Sequence, residues 1–449
     1  MTGFFIAVSA IIPRAMGLKY YIKTFGCQMN VADSREYRLA LEAYGMTPSV
    51  REFDADLLIV NTCSVRTKAE DKLVSYLGAA QAAAKDNPGL KVGLVGCTAT
   101  LIGEELKRRF PVIKFLLPAT EVDSFTEVVL ESIPGFTAFS RDLSGSIGEK
   151  ERFERYITVM RGCEMFCSYC VVPYARGNVR SLPLTEILRR CDEAVSEGAK
   201  VLTLLGQNVM VYGRNPEDPS DTPGNFNGLL KAASDRHPDC WIKFLTSHPG
   251  DVTRELVDLV GATSNISKHF HLPLQSGDDK ILKDMNRGYT SAQYRELIEY
   301  INRTVPNYRI STDIIAGFPT EDETAFENTL GLVRELEFDQ MFTFQYSHRP
   351  GTAAVKWEDP VPFEEKRRRL RKLIDIQNEI VLRKHKTLEG SRLPAIVYGP
   401  AYKSPAKLTA VSRESHVILI PDSSIEPGST VDVEITKGKQ RTLEGRIVG

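Results

Sequence analysis

Residues Tyr156–Cys170 read YITVMRGCEMFCSYC, a short apolar strand that runs directly into three cysteines spaced C-x3-C-x2-C. That strand, Tyr156–Met160, is the first of six that alternate with helix-patterned stretches. The others are Val201–Leu205, Trp241–Thr246, His269–Leu274, Arg309–Ile315 and Met341–Tyr346; the stretches between them include Leu184–Ser196 and Glu321–Leu336. Strand–helix alternation predicts a parallel sheet. Six units fall short of the eight in a closed barrel, so the expectation is a partial (β/α)6 barrel. In such a barrel the loops that follow the strands carry the chemistry, which makes Cys163, Cys167 and Cys170 the first candidate ligands.

Thiolates this close in sequence can surround one metal centre. Zinc would want a fourth ligand, usually from a second C-x2-C pair, and the chain has none. The spacing is also not that of bacterial ferredoxins. Three thiolates on a four-iron cluster leave one iron open, as a catalytic centre requires. A second set is dispersed: Cys27 in KTFGCQMN, Cys63 in IVNTCSVR and Cys97 in LVGCTAT. Each follows a predicted parallel strand (Lys19–Thr24, Leu57–Val60, Lys91–Val95) in a segment that also holds helices Ser34–Tyr44 and Val65–Lys85 and a strand at Val112–Leu117. Loops after parallel strands line one carboxyl edge, so these thiols can converge. The plainer alternative is three buried structural cysteines, although a core cysteine more often lies within a strand or helix. Cys191, mid-helix, and Cys240, at a strand start, read as buried filler.

The composition fits an ordinary soluble protein. Among 449 residues, 42% are hydrophobic and 26% charged, with 57 Lys and Arg against 58 Asp and Glu. Disordered and fibrous classes are excluded. Eight cysteines are too sparse for a disulfide scaffold and point to a reduced, cytoplasmic chain. The longest apolar run, Phe4–Ile12, is too short to span a membrane, and no basic residue precedes it as in a signal peptide. Met1–Ala15 fits no domain pattern, so translation is expected to start at Met16. Phe139–Gly148 reads as a linker. Residues 362–449 hold 17 Lys and Arg against 11 Asp and Glu, a hint of a polyanionic partner.

A C-x3-C-x2-C motif at the end of a first barrel strand resembles the radical S-adenosylmethionine (SAM) enzymes. The preceding three-cysteine α/β domain narrows the resemblance to the methylthiotransferases, over nearly all of Met16–Gly449. Carrying it are Thr24–Asn30 (TFGCQMN), Asn61–Lys72 (NTCSVRTKAEDK), Gly206–Val209 (GQNV), His271–Gly277 (HLPLQSG) and Arg349–Thr352 (RPGT). Gln28-Met29-Asn30 resembles the branch acting on N6-isopentenyladenosine, whereas Gly177–Ser181 (GNVRS) has the flavour of the threonylcarbamoyl-adenosine branch. The fold implied is α/β: an N-terminal open parallel α/β sheet (16–138), a central partial (β/α)6 radical SAM barrel (149–386) and a small OB-like C-terminal β-barrel of the TRAM kind (387–449).

The resemblance implies two 4Fe-4S clusters. Cys163, Cys167 and Cys170 would hold the cluster that chelates SAM and, once reduced, cleaves it to a 5′-deoxyadenosyl radical. Cys27, Cys63 and Cys97 would hold an auxiliary cluster whose open iron carries sulfur that another SAM methylates. The methylthio group would go to carbon 2 of the adenine beside the anticodon, whose hydrogen no acid–base group activates at neutral pH. Tyr169, Gly206, Gln207, Asn208, Ser247 and Asp313 are the expected SAM contacts, while His271 reads as a satisfied core histidine. Partners implied are a tRNA anticodon stem-loop and a reductant such as flavodoxin or ferredoxin, with the protein a monomer that meets no membrane. The same chemistry on threonylcarbamoyl-adenosine, modification of a ribosomal protein, and a non-catalytic RNA-binding iron–sulfur protein stay open as alternatives.

The RNA surface is expected on the helix Pro362–Lys386 and the barrel beyond it, whose strands read as Arg392–Val397, Lys407–Val411, His416–Ile420, Thr430–Ile435 and Arg441–Val448. Arg367, Arg368, Arg371 and Lys372 are the basic candidates. Glu364→Arg368 and Glu365→Arg369 have i,i+4 spacing, so a self-paired solvated face is the plainer reading. OB-like barrels commonly bind oligonucleotides, which favours RNA contact; Tyr402, Arg413 and His416 either stack on bases or sugars or pack on the surface.

Overall fold

The computed structural model describes residues 17–64, 67–133, 152–402, 404–421 and 424–448. The expected start at Met16 and the linker Phe139–Gly148 lie outside them. The chain forms two compact units; the first contains the N-terminal sheet and also takes in Tyr174–Arg176.

In the first unit, β1 (Lys19–Phe25), β2 (Thr47–Pro48), β3 (Leu57–Thr62), β4 (Lys91–Gly96) and β5 (Ile113–Pro118) form a parallel sheet in the order β2-β1-β3-β4-β5. Every residue of β3 is buried, the mark of a central strand covered on both faces. Ile59 packs with Tyr37, Leu41, Val95, Phe125 and Val129 on one face. Leu58 and Val60 pack with Leu73, Leu77, Val92, Leu94 and Leu106 on the other. The register pairs Phe25 with Thr62 and Thr62 with Gly96, so three strands end level at one edge. The helix after β1 spans Gln28–Ala43 and starts six residues before the apolar stripe predicts. Its first turns bury Asn30 and Asp33, polar residues that an apolar period does not register.

In the second unit, β6 (Glu154–Thr158) leads to the hairpin pair β7 (Met160–Arg161) and β8 (Arg180–Ser181). β9 (Val201–Leu205) and β10 (Trp241–Leu245) join β6 in one parallel sheet; β11 (His269–His271), β12 (Arg309–Ala316) and β13 (Gln340–Gln345) form another. A parallel bridge, Ile242 to Ile266, links the two, giving a six-stranded partial barrel. β11 stops at His271 rather than Leu274, because Pro273 has no N–H to give the ladder. Leu202, Leu204, Ile242, Phe244, Phe270, Ile310 and Ile314 pack outward on helices that include Leu184–Ser196, Phe226–Arg236 and Glu323–Leu336.

The same unit holds a closed five-stranded barrel, β14 (Arg392–Ala401), β15 (Ser404–Ser412), β16 (Val417–Ile420), β17 (Thr430–Gly438) and β18 (Leu443–Ile447), in the order β14-β15-β16-β18-β17. Its interior is apolar, with Val397, Leu408, Ile418, Val433 and Leu443. The turn after β15 anchors it to the partial barrel. Ser267 Oγ donates to Arg413 O at 2.8 Å, Arg309 Nη1 to Glu414 O at 3.1 Å, and Lys243 Nζ to Ser415 Oγ at 3.1 Å.

Candidate functional site

In the first unit, Cys27, Cys63 and Cys97 follow the level ends of β1, β3 and β4, and all are free thiols. The chain must be small where it turns toward them. A Cβ on Gly26 would lie 2.3 Å from Asn30 Oδ1, and one on Gly96 (φ +88) 2.5 Å from Asn61 Oδ1. Those amides lock the turns: Asn30 Nδ2 donates to Asn61 Oδ1 at 2.8 Å, and Cys27 N donates to Asn30 Oδ1 at 3.3 Å. The Cys63 thiol stands within hydrogen-bond reach of both other sulfurs. Its hydrogen bond draws Cys27 down to about 6 and Cys97 to about 7, against the desolvation that burial imposes. Cys63, as the shared donor, is pushed well above the ordinary thiol range. The Arg176 guanidinium adds a further downward pull on Cys27 and Cys97. Three neighbouring soft donors, two of them within reach of Cys63 and with a buried cation beside them, suit an iron–sulfur cluster with one open iron.

In the second unit, Cys163, Cys167 and Cys170 occupy the loop after β7. Gly162 has φ +83, and a Cβ there would lie 1.8 Å from Asn178 O. Only glycine makes that approach. Gly162 N donates to Gln207 Oε1 at 2.6 Å, and Cys163 N to Gly177 O at 3.1 Å. The far side of the loop is clamped by residues 284–289, which sequence reasoning missed. Asn286 Nδ2 donates to Met165 O (3.2 Å) and Phe166 O (3.1 Å); Ser168 N donates to Met285 O (3.1 Å) and Ser168 Oγ to Asp284 O (2.8 Å). Arg287 Nη1 donates to Cys167 Sγ at 3.3 Å, Nη2 to Pro273 O at 2.9 Å and Nε to Tyr289 OH at 3.1 Å. The one local signal was Asn286-Arg287-Gly288 just past a short helix, where Asn286 (φ +57) and Gly288 (φ +69) are left-handed. Burial pushes the Cys163 thiol up and Cys170 up to about 12, so loading this site with metal releases protons. Among the described residues no three His, Cys, Asp or Glu side chains are set around a single ion. A four-iron cube, whose thiolates bind separate irons, is the larger object that both sets suit.

The remaining expected residues line the barrel mouth with different freedoms. Tyr169 is half-buried against Ile281, Met285, Phe318 and Tyr346. Gly206 passes close to Met160, where a Cβ would lie 2.5 Å from Cγ. Gln207 is engaged with Gly162; Asn208 Nδ2 donates to Asp251 Oδ2 at 2.7 Å. Asp313 is half-buried, its Oδ2 3.6 Å from His271 Nε2, while His271 Nδ1 pairs with Ser311 Oγ at 2.9 Å. Ser247 Oγ is buried with no hydrogen-bond partner among the described residues, while neighbouring His248 has Asp251 Oδ2 3.6 Å from Nδ1 and the Arg287 backbone within reach of its ring. Desolvation, with Arg287 second, lowers His248 to about 3, so its ring is neutral. An orphaned buried hydroxyl such as Ser247 Oγ is what a polar ligand would satisfy.

Residues 157–333 match the model of the radical SAM superfamily, and residues 19–118 that of an uncharacterized protein family, UPF0004. The chain is 39% identical over 445 residues to the tRNA-2-methylthio-N(6)-dimethylallyladenosine synthase of Carboxydothermus hydrogenoformans, an overlap covering 96% of this chain and 99% of that one. The chain belongs to this synthase family. The synthase of Syntrophobacter fumaroxidans is 36% identical over 99% of this chain and 98% of its own, and that of Bacillus licheniformis 34% over 96% and 86%. A structure of the radical S-adenosylmethionine methyltransferase TsrM from Kitasatospora setae aligns with TM-score 0.53 over 76% of this chain and 77% of that one. At 12% identity it shows the fold alone.

The basic helix, which spans Phe363–Thr387, is more self-paired than its composition suggests. Arg367 meets Glu364 at 3.3 Å, Arg368 meets Glu365 at 2.7 Å and Glu323 at 2.8 Å, and Lys372 meets Glu327 at 2.5 Å. Arg369 is buried against Glu321 at 2.8 Å and holds the helix to the partial barrel. Arg371 is exposed and makes no ion pair among the described residues. Tyr402 is 98% exposed. Arg413 instead grips Glu414 at 2.7 Å and Ser264 O at 2.6 Å, and the partly buried His416 bonds Ser412; both belong to the anchoring turn, where their polar groups find partners within the chain. No helix of the described residues is long and apolar enough to cross a membrane.

Proposed function

We propose that the protein methylthiolates carbon 2 of N6-isopentenyladenosine beside the anticodon of tRNA. The observation that carries this is the pair of three-thiol centres, one at the carboxyl edge of the parallel sheet and one in the loop after β7, each one ligand short of closing a four-iron cluster. When bound, the clusters and SAM supply the sulfur, the methyl group and the radical that the reaction needs. The chain's own residues do the rest. Cys27, Cys63 and Cys97 hold one cluster; Cys163, Cys167 and Cys170 hold the other, fixed in place by Asn286 and Arg287. Ser247 Oγ and the neutral His248 ring would offer hydrogen bonds to bound SAM, Tyr169 would pack beside its adenine, and Asp313 would reach it from the barrel mouth. Gly206, Gln207 and Asn208 shape the mouth through their contacts with Met160, Gly162 and Asp251. The working divisions are 16–138, 149–386 and 387–449. A one-electron donor such as flavodoxin or ferredoxin feeds a monomeric, cytoplasmic enzyme.

The test is nucleoside mass spectrometry on two anticodon stem-loops, one carrying isopentenyl-adenosine and the other threonylcarbamoyl-adenosine. Both are incubated together with anaerobically reconstituted protein, SAM and a reductant. A methylthio mass gain on the isopentenyl nucleoside alone is expected. Gain only on the threonylcarbamoyl nucleoside would overturn the substrate, and intact SAM would overturn the enzyme.

For the RNA face we infer Arg371 and Tyr402 as the foremost contacts, since both are exposed. Arg367, Arg368 and Lys372 must release carboxylate partners before they can meet phosphates. In salt titrations of stem-loop binding, Arg371→Ala is expected to lower the slope of log K against log salt by about 0.7–0.9, one phosphate's worth. Arg368→Ala should lower it by less, because Glu323 and Glu365 already neutralise that guanidinium. Equal losses would make the pairs irrelevant to binding.

A further inference from the structure

Arg176 is a buried cation that the chemistry above does not use. It ends a five-residue helix, Val172–Arg176, and belongs to the first unit, far in sequence from everything it touches there. Its side chain is 3% exposed and that of Asp33 is 0% exposed. Nη2 donates to Asp33 Oδ2 at 3.1 Å. That bond engages one of five N–H donors, and the Cys97 sulfur stands within hydrogen-bond reach of the same guanidinium. Nη1 is buried too and makes no hydrogen bond among the described residues. A buried donor left unmade costs as much as a lost hydrogen bond, so a pair built only to hold the fold would be expected to engage it. Besides Asp33, the charges of Cys97 and Cys27 act on the guanidinium. Ala175, fully buried, packs in one cluster with Cys97 and fixes the approach.

The other centre has a similar arrangement. There Arg287 Nη1 donates to Cys167 Sγ at 3.3 Å while Nη2 and Nε are held elsewhere. A guanidinium suits the task because it stays charged at any working pH and holds a fixed fork of donors.

We infer that Arg176 is the charge anchor of the Cys27–Cys63–Cys97 centre, held by Asp33 so that Nη1 donates to a sulfur of the iron–sulfur group those thiolates bind. The inference rests on the proposed function in one respect: the three thiols must ligate a cluster. Arg176 acts on the cluster through its ligands and its charge and is a positioning residue. Three thiolates in a water-poor site repel one another, and a fixed cation lowers the cost of keeping them ionised. Asp33 aims the cation and partly offsets it, so the two residues should act on the cluster in opposite senses.

The test uses full-length protein carrying C163A, C167A and C170A, which leaves only the first centre, reconstituted anaerobically. R176Q and D33N are introduced separately, with the R176Q/D33N double variant to cover the case in which D33N alone folds poorly. Two quantities are read: the rate of iron loss to a chelator and the reduction potential of the cluster. R176Q is expected to accelerate iron loss about 10- to 100-fold, the usual effect of removing a group that supports metal ligands. It should also shift the potential to more negative values, because an added electron loses its nearby cation. D33N should shift the potential the other way, and the double variant should fall between. A purely structural role predicts faster loss with shifts of one sign or none, and that result would overturn the inference. Unchanged iron loss in R176Q would overturn it as well. A parent protein that takes up no iron would overturn the reading beneath it and the inference with it.

Discussion

Alanine at Cys27, Cys63 and Cys97 together is expected to abolish methylthio product while reductive cleavage of SAM continues; alanine at Cys163, Cys167 and Cys170 is expected to abolish both. The two ligand sets share no residue and lie in different compact units, so each can be emptied without removing a ligand of the other. Product and 5′-deoxyadenosine are quantified in the same reaction, and iron is counted on the same protein. Each triple variant should lose about half of the iron, as expected when one of two equal clusters is gone. If the first triple variant lost SAM cleavage as completely as the second, the division of labour between the centres would be wrong. A single substitution, Cys63→Ala, should come close to the first triple variant, because Cys63 is the sulfur that reaches both of its partners.

Gly162→Ala is the second large effect, and it acts through the backbone. Gly162 is left-handed, and its Cβ would overlap Asn178 O at 1.8 Å. The neighbour is main chain, so relief requires moving the β7–β8 hairpin or the cysteine loop itself. Strain and overlap together should cost about 3 kcal/mol or more, a fall in melting temperature of roughly 6–12 °C. Movement also breaks the Cys163 N to Gly177 O bond, so iron at the second centre should fall with it. Gly198→Ala is the control. That glycine is also left-handed (φ +95) but has nothing within 4 Å of its Cβ, so only the strain of about 1 kcal/mol remains and iron should be retained. Equal iron loss in both would show that strain rather than the overlap matters.

The elements that carry the site were legible because local patterns encode them. Val201–Leu205 and Leu184–Ser196 form over the residues their periodicity marks. Cys27, Cys63 and Cys97 could be placed at one edge because a parallel sheet puts equivalent strand ends together, and the ladder Phe25–Thr62–Gly96 does so. The start of the helix at Gln28 was hidden because Asn30 and Asp33 look solvent-facing in a hydrophobic pattern, yet each is fully buried through a partner elsewhere. The basic helix hid its partners in a different way. Its charge was plain, but Arg368 and Lys372 find carboxylates on the neighbouring helix; in the turn after β15, Arg413 likewise finds Glu414 and the Ser264 carbonyl.

The sequence by itself determined the two cysteine sets, the strand ends that bear them and the family, since each is written in residues close together along the chain. Only the tertiary structure decided what surrounds the sulfurs. Asp33 with Arg176, Cys167 with Arg287, and Gly162 with Gln207 join residues 143, 120 and 45 positions apart. No local period encodes such pairs, because a guanidinium or an amide has the same local preferences whether it meets water or a buried thiol. Its partner is fixed only when sheet register and helix packing close around it.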